Sequence, residues 1–302
     1  MSTPPIEFHD RVVVITGAAR GLGLAHARAL AARGASLVVN DLSDDAVAEA
    51  VATLQDEAQG PASRVVGVAG DVTDDAVNAR LVSTAIERFG RLDVVVANAG
   101  FLRDRSFAKM TLAELDEVLA VHLRASASLA HAAWPRLVDG GYGRIVLTTS
   151  HAGLFGNFGQ ANYAAAKMGM VGLVNTLRIE GERHGIRVNA LAPVAATDMS
   201  RGLFGPMEAL LVPEHATAAL VWLASEACTD SGTVLAAGGG RYAKVLVAQT
   251  AGLAIGSGAP PTPEEIAAHW ERICDPTGAR PFHDASAAIM ALMMQAPRAD
   301  DA

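Results

Sequence analysis

The chain has 302 residues, 51% of them hydrophobic and 19% charged, with a formal net charge of −8. That composition supports one large buried core, and an acidic balance without a Lys/Arg-rich run argues against a nucleic-acid partner. Only Cys228 and Cys274 are present, in no Cys-x-x-Cys pattern, so neither a disulfide framework nor a metal site is expected.

Met1 to Asp10 shows no charged-then-apolar signal pattern, and no uninterrupted apolar stretch reaches the roughly 18 residues of a membrane span. Ala299-Asp300-Asp301-Ala302 is not a Ser-Lys-Leu address, so a cytoplasmic protein with no membrane partner is expected.

The first predicted strand is Val12-Val13-Val14-Ile15. Thr16-Gly17-Ala18-Ala19-Arg20-Gly21-Leu22-Gly23 follows, and then a helical stretch from Leu24 to Arg33. In a strand, glycine-rich turn and helix N-terminus, Gly17, Gly21 and Gly23 let the backbone approach a pyrophosphate. The helix end, near Leu22, supplies N–H donors and a positive dipole. Glycines also make unliganded turns, so the next strand matters. Ala35 to Val39 ends in Asn40-Asp41, and Asp41 stands near where a carboxylate accepts hydrogen bonds from an adenosine ribose. Its charge repels a 2′-phosphate and favours NAD over NADP, although Arg20 beside the loop could pair with that phosphate. Asp41 also reads as an ordinary solvated acid at a strand end.

Further strands are predicted from Val65 to Gly70, from Leu92 to Val96, from Arg144 to Thr149, and near residues 186–190 and 233–236, with Ala-rich helices between them. This alternation predicts an α/β fold, a Rossmann-type doubly wound parallel sheet that binds its ligand at the carboxyl ends of the strands. Ser150 closes the fifth strand. Tyr163 and Lys167 lie at i and i+4 in a good helix former, Asn162 to Met168, and share one face. A phenol, an ammonium and a hydroxyl so placed can move a proton. The ammonium favours the phenolate of a tyrosine whose free pKa is about 10. An ordinary exposed helix pair is the plain alternative.

Gly238-Gly239-Gly240 is read as the end of the core, giving a domain of residues 1–240 and a C-terminal extension of residues 241–302, packed on the core or at a subunit interface. Gly256-Ser257-Gly258-Ala259-Pro260-Pro261 breaks the extension, and Thr262 is the expected N-cap of a helix with Pro263 in its first turn. The apolar run Ile289, Met290, Leu292, Met293 and Met294 reads as packing residues, with an acyl-chain lid as the alternative.

The glycine loop, the strand-end acid and the Ser150…Tyr163-Ala164-Ala165-Ala166-Lys167 pattern together resemble the short-chain dehydrogenase/reductase family over about residues 8 to 240. The resemblance implies that Asp71 and Val72 contact the adenine. It implies that Asn98-Ala99-Gly100 form a turn that stabilises the sheet beside the cofactor, and that Pro193 to Thr197 hold the nicotinamide carboxamide through Thr197. Lys167 would also hold the nicotinamide ribose. His122 stands where most of the family has an Asn that anchors a relay water. It is either a relay group or a satisfied core histidine. Val194 replaces a Gly and His151 a small residue, which bears on the shape of the substrate side. The helices around residues 112–133 and 161–184 are those the family uses for dimer contacts, implying a homodimer or homotetramer.

Val39-Asn40-Asp41-Leu42, Leu102-Arg103-Asp104-Arg105-Ser106-Phe107, Val121-His122-Leu123-Arg124, Ala132-Ala133-Trp134 and Gly156-Asn157-Phe158-Gly159-Gln160-Ala161-Asn162-Tyr163 narrow the likeness. They are similar to the (3R)-hydroxyacyl-CoA dehydrogenase domain of the peroxisomal type 2 multifunctional enzymes, also called type 4 17β-hydroxysteroid dehydrogenases. Pro263-Glu264-Glu265-Ile266, His269-Trp270 and Ile273-Cys274-Asp275 extend it to about residue 284. The implied reaction is NAD-dependent. Tyr163 takes the proton of a C3 hydroxyl as hydride leaves that carbon, and Ser150 hydrogen-bonds the same oxygen. A (3R)-hydroxyacyl-CoA is the first substrate reading, and a hydroxysteroid or steroid-side-chain CoA ester the second. A non-catalytic dinucleotide-binding scaffold is a remote third. Arg103, Arg105, Arg201, Arg241 and Lys244 are candidate phosphate partners, and Leu154, Phe155, Phe158, Leu203, Phe204 and Met207 candidate walls of an apolar cleft.

Overall fold

The computed structural model describes residues 4–57, 64–197, 205–255 and 260–294. The chain divides into two compact units, residues 1–244 and 245–302.

The larger unit is built on β1 (Val12–Thr16), β2 (Ser36–Asp41), β3 (Val65–Ala69), β4 (Val94–Ala97), β5 (Gly143–Thr148), β6 (Ile186–Pro193), β7 (Val234–Gly238) and β8 (Arg241–Val245). They form one sheet in the order β3-β2-β1-β4-β5-β6-β7-β8. Neighbours from β3 through to β7 pair in parallel. Every residue of β1, β4 and β5 is buried. Such fully buried strands fit a parallel sheet covered on both faces.

The covering helices are α1 (Gly21–Ala31), α2 (Asp44–Glu57), α3 (Asp75–Phe89), α4 (Leu112–Leu119), α5 (Ala125–Gly140), α6 (His151–Phe155), α7 (Ala161–Gly181) and α8 (Pro213–Ala224). Helix α1 packs against α8, α3 against α5, and α4 and α6 against α7. Strand order reverses between β1, which pairs with β2, and β4, which starts the other half of the sheet. At such a switch point the loops leave in opposite directions and open a crevice at the carboxyl ends of the strands.

The triple glycine does not end the sheet. Gly239 and Gly240 have φ of 56° and 74°, and they turn the chain from β7 into β8. Two consecutive left-handed glycines are the chemistry of a two-residue hairpin loop, which a reading of glycine as a terminator overlooks.

The smaller unit carries α9 (Pro263–Ala268), α10 (Trp270–Ile273) and α11 (Ala285–Met294), and Gln249 bridges Arg280 in antiparallel fashion. Thr262 caps α9 as anticipated, in a capping box with Glu265. The predicted breaker Gly256 to Ala259 lies outside the described residues. The apolar residues of α11, from Ile289 to Met294, are exposed among the described residues.

Candidate active site

The glycine loop is shaped by close approach. Gly17 has φ +62°, and a Cβ there would lie 2.7 Å from Ala99 Cα; a Cβ on Gly23 would lie 1.9 Å from the Gly17 carbonyl oxygen. Neither position accepts a side chain. Gly21, also left-handed at φ +55°, is different: among the described residues a Cβ there would meet Thr197 alone, at 3.8 Å. Helix α1 begins at Gly21, and Arg20 at its N-cap, a donor-only side chain, accepts no hydrogen bond from the first-turn N–H groups.

Asp41 ends β2 beside this loop. One carboxylate oxygen accepts from Ala19 N–H at 3.1 Å and the other from Leu42 N–H at 2.9 Å. The residue is therefore more than a solvated strand-end acid, because it braces the loop it was expected to serve. Asn98, after β4, donates its amide to the Thr16 and Gly17 carbonyls, and the Asn98 and Ala99 N–H groups both donate to Thr16 Oγ1. Asp71 is exposed and accepts from Thr73 N–H. Val72 is buried. Pro193 closes β6, and Val194 packs so tightly that a Cβ on Gly238 would sit 2.7 Å from its own Cβ. The room that a glycine usually provides in that segment is here provided by Gly238 opposite. A glycine turn, an uncapped helix end and a fixed carboxylate fit a dinucleotide.

At the end of β5, Ser150 caps α6 by accepting from Ala152 N–H at 3.2 Å, and it hydrogen-bonds the Tyr163 hydroxyl. Lys167 is 2% exposed; its ammonium donates to the Thr148 carbonyl and lies 5.5 Å from the Tyr163 ring centroid. Thr149 Oγ1 donates to the Lys167 carbonyl at 2.7 Å, so strand end and helix are tied at two points. Ser150, Tyr163 and Lys167 are thus brought together.

Burial raises the Tyr163 pKa, the Ser150 hydrogen bond opposes the rise, and the Asp104 charge adds to it. Burial lowers Lys167 to about 7. The Lys167 ammonium donates to a backbone carbonyl, and burial is the largest influence on the Tyr163 phenol.

His122 sits in a π-helical turn, Ala120–Arg124, that joins α4 to α5. Its ring lies edge-on to Tyr163 with centroids 5.1 Å apart, and stacks on Phe101. Nε2 is 2.8 Å from the Phe101 carbonyl and 3.2 Å from the Phe101 N–H. The shorter contact assigns the proton to Nε2, leaving Nδ1 a buried acceptor without a partner among the described residues. Burial, then the nearby Lys167 charge, lowers its pKa to about 3, so the ring is neutral. His122 is half of each alternative, being satisfied at one nitrogen and open at the other. Gly100 makes room for it, since a Cβ there would lie 2.2 Å from Cε1.

Sequence reasoning missed the scaffold around Tyr163. Asn162 donates to the Arg103 and Glu114 carbonyls and accepts from Tyr163 N–H, while Gln160 donates to Asp104. Arg103 pairs with Glu117 at 2.9 Å and Arg105 with Glu114 at 3.1 Å, so both are already neutralised. Arg241 and Lys244 are exposed on β8. Phe155, Phe158 and Met207 are exposed as cleft walls would be. Arg201, Leu203 and Phe204 lie outside the described residues. Among the described residues, no His/Cys/Asp/Glu group could hold a metal, and no helix is long and apolar enough to cross a membrane.

The sequence matches the short chain dehydrogenase family over residues 11–206. It is 43% identical over 282 residues to the Mycobacterium tuberculosis short-chain type dehydrogenase/reductase Rv0148, covering 90% of this chain and 96% of that one. It is 41% identical over 275 residues to the mouse peroxisomal multifunctional enzyme type 2, covering 90% of this chain but only 37% of that protein. The M. tuberculosis hydroxyacyl-CoA dehydrogenase ChsB1 is 38% identical, covering 76% of this chain and 77% of its own. Among solved structures, the full-length Drosophila melanogaster peroxisomal multifunctional enzyme type 2 superimposes with a TM-score of 0.82 at 31% identity, covering 96% of this chain and 50% of that one.

Proposed function

The chain belongs to the short-chain dehydrogenase family and is an oxidoreductase; from that premise we propose that it interconverts a (3R)-3-hydroxyacyl-CoA and the 3-ketoacyl-CoA with NAD. The observation that carries the chemistry is Tyr163, hydrogen-bonded to Ser150 with the buried Lys167 ammonium beside its ring. Relatives named as multifunctional enzyme and hydroxyacyl-CoA dehydrogenase support the substrate class.

Gly17, Arg20, Gly21, Leu22 and Gly23 would hold the pyrophosphate, Asp41 the adenosine ribose, Asp71 and Val72 the adenine, and Asn98, Ala99 and Gly100 the floor of the crevice. Pro193 and Thr197 would hold the carboxamide. A bound nicotinamide supplies the hydride acceptor or donor. The protein moves the proton. Tyr163 Oη takes it from the substrate hydroxyl on oxidation and returns it on reduction, and Ser150 hydrogen-bonds the same oxygen as its charge changes. Lys167, whose pKa burial lowers to about 7, would hold the nicotinamide ribose. His122 Nδ1, a neutral acceptor next to Tyr163, can take a water into a proton path.

A 17β-hydroxysteroid or steroid-side-chain CoA ester is the second reading, favoured by the exposed Phe155, Phe158 and Met207. Two unpaired thiols, Cys228 and Cys274, accord with a reducing cytoplasm. A homodimer or homotetramer through the helices around residues 112–133 and 161–184 is part of the proposal. The C-terminal unit then serves that interface or the core.

The deciding experiment follows absorbance of the reduced nicotinamide with NAD or NADP against (3R)-hydroxyacyl-CoAs of several lengths and a 17β-hydroxysteroid. Turnover of the thioesters with NAD is expected. Turnover of the steroid alone would keep the chemistry and replace the substrate.

A further inference from the structure

We propose that Asn162 is a positioning residue for the proton transfer, a buried amide that fixes the first turn of α7, and with it the Tyr163 ring, against Arg103 and Glu114. The proposal rests on the reading of Tyr163 as the proton-transfer group.

Helix α7 opens without a side-chain cap from Gln160, its N-cap residue. The Tyr163 N–H, in the first turn, has no carbonyl of the helix to donate to, and the Gly159 carbonyl four residues back already accepts from Arg105 N–H at 2.7 Å. Asn162 Oδ1 accepts the Tyr163 N–H at 2.7 Å. On its other side Asn162 Nδ2 donates to the Arg103 carbonyl at 3.0 Å and to the Glu114 carbonyl at 3.3 Å. A donor on one side and two carbonyls on the other admit a single orientation of the amide. Asn162 is 0% exposed, so all three bonds are made out of reach of bulk water, where leaving a partner unpaired is costly.

The two segments joined here run antiparallel. The Arg103 carbonyl meets Asn162, the Asp104 carboxylate accepts from Gln160 Nε2 at 2.8 Å, and Arg105 N–H meets Gly159. Asn162 is the link next to the reacting phenol. Glu114 lies on α4, and the turn that follows α4 carries His122, whose ring meets the Tyr163 ring edge-on with centroids 5.1 Å apart. The amide that holds Tyr163 by its backbone therefore also holds the helix leading to the ring packed against it. The Tyr163 hydroxyl, at the other end of the side chain, is hydrogen-bonded to Ser150. A shift of the first turn of α7 disturbs both contacts at once, and a displacement of about 1 Å at a reacting group can cost about a hundredfold in rate.

The test compares kcat for a (3R)-3-hydroxyacyl-CoA in the wild type, Asn162→Ala, Asn162→Asp, Tyr163→Phe and the double variant Asn162→Ala/Tyr163→Phe. Asn162→Ala is expected to lower kcat about tenfold or more while NAD affinity, measured by calorimetry, stays close to wild type. In the Tyr163→Phe background the same change should lower the residual rate by less than about twofold, because that rate no longer depends on where the hydroxyl stands. Asn162→Asp separates placement from folding. Ionised, the introduced carboxylate keeps an acceptor for the Tyr163 N–H but turns its other oxygen towards two carbonyls; protonated, it donates to one of them and restores the tie. Its kcat relative to wild type should rise as pH falls, by up to about tenfold per pH unit where the carboxyl titrates, while the Asn162→Ala ratio stays flat. A second readout needs no turnover. The NMR shifts of the His122 ring protons, which lie beside the Tyr163 ring, should move in Asn162→Ala and return with acid in Asn162→Asp. Equal fold-losses in the two Tyr163 backgrounds, or unmoved His122 shifts, overturn the proposal. If the wild type turns over a neutral steroid and no thioester, the thioester reading fails, while the steroid rates and the His122 shifts still decide whether Asn162 places the Tyr163 ring.

Discussion

Gly100 and His122 interlock: a Cβ on residue 100 would sit 2.2 Å from the imidazole Cε1 and 2.8 Å from Nδ1. The ring is buried against Phe101 and meets Tyr163 edge-on, so it cannot swing away without disturbing one of them.

Gly100→Ala should therefore cost about 1–3 kcal/mol, the range for overfilling a packed site, and lower kcat through displacement of His122 and Tyr163. Truncating the ring removes the clash. Chemical unfolding of Gly100→Ala, His122→Ala and the double variant should show a coupling of about 1 kcal/mol or more, with the double variant costing less than the sum. Additive costs would show that the ring relaxes freely.

Tyr163→Phe removes the proton carrier and keeps the ring that packs against His122. We expect kcat to fall by at least about a hundredfold while NAD affinity, measured by calorimetry, stays close to wild type. Turnover near the wild-type rate would remove Tyr163 from the mechanism.

His26 and His122 are both neutral in the fold, with pKa values lowered by burial to about 3 from the ordinary 6.5. Below pH 6.5 the unfolded chain binds protons that the folded chain refuses, so stability is full above that pH and is lost as pH falls towards 3. The urea midpoint should drop between pH 7 and pH 5. His26, whose Nδ1 contacts Thr217 Oγ1 at 2.8 Å and not Ser150, Tyr163 or Lys167, separates the two contributions. His26→Gln should flatten the acid limb of stability and leave the pH profile of turnover unchanged.

Asp41→Asn removes the charge at the end of β2 and leaves a single acceptor oxygen for two backbone donors, Ala19 and Leu42. The kcat/KM ratio for NADP over NAD should rise by about tenfold as the like-charge penalty on a 2′-phosphate is lifted. Adding Arg20→Ala should take back part of that gain. A ratio indifferent to both changes would show that the carboxylate serves the loop alone.

Much of this was legible in one dimension. The apolar runs Val12 to Ile15, Val94 to Ala97 and Ile145 to Leu147 announce strands buried on both faces, because water-facing positions would interrupt them. The spacing of Tyr163 and Lys167 announces a shared helix face. Position within the chain also predicted that Thr262 would cap α9, since a capping box is a matter of residues three apart. Composition alone does not say that Gly239 and Gly240 turn the chain into an exposed further strand; their left-handed backbone does.

The sequence by itself determined the order of elements, the glycine loop and the placing of Tyr163 and Lys167 on one helix face, all of which depend on neighbours within a few residues. Only the tertiary structure decided that Asp41 braces Ala19, that Lys167 points to the Thr148 carbonyl, that Gly100 yields to His122 and that Arg103 and Arg105 pair with Glu117 and Glu114. Each of these joins segments separated along the chain. Their energetics depend on burial, and burial of one segment is set by whichever distant segment packs over it, a quantity that periodicity and spacing do not contain.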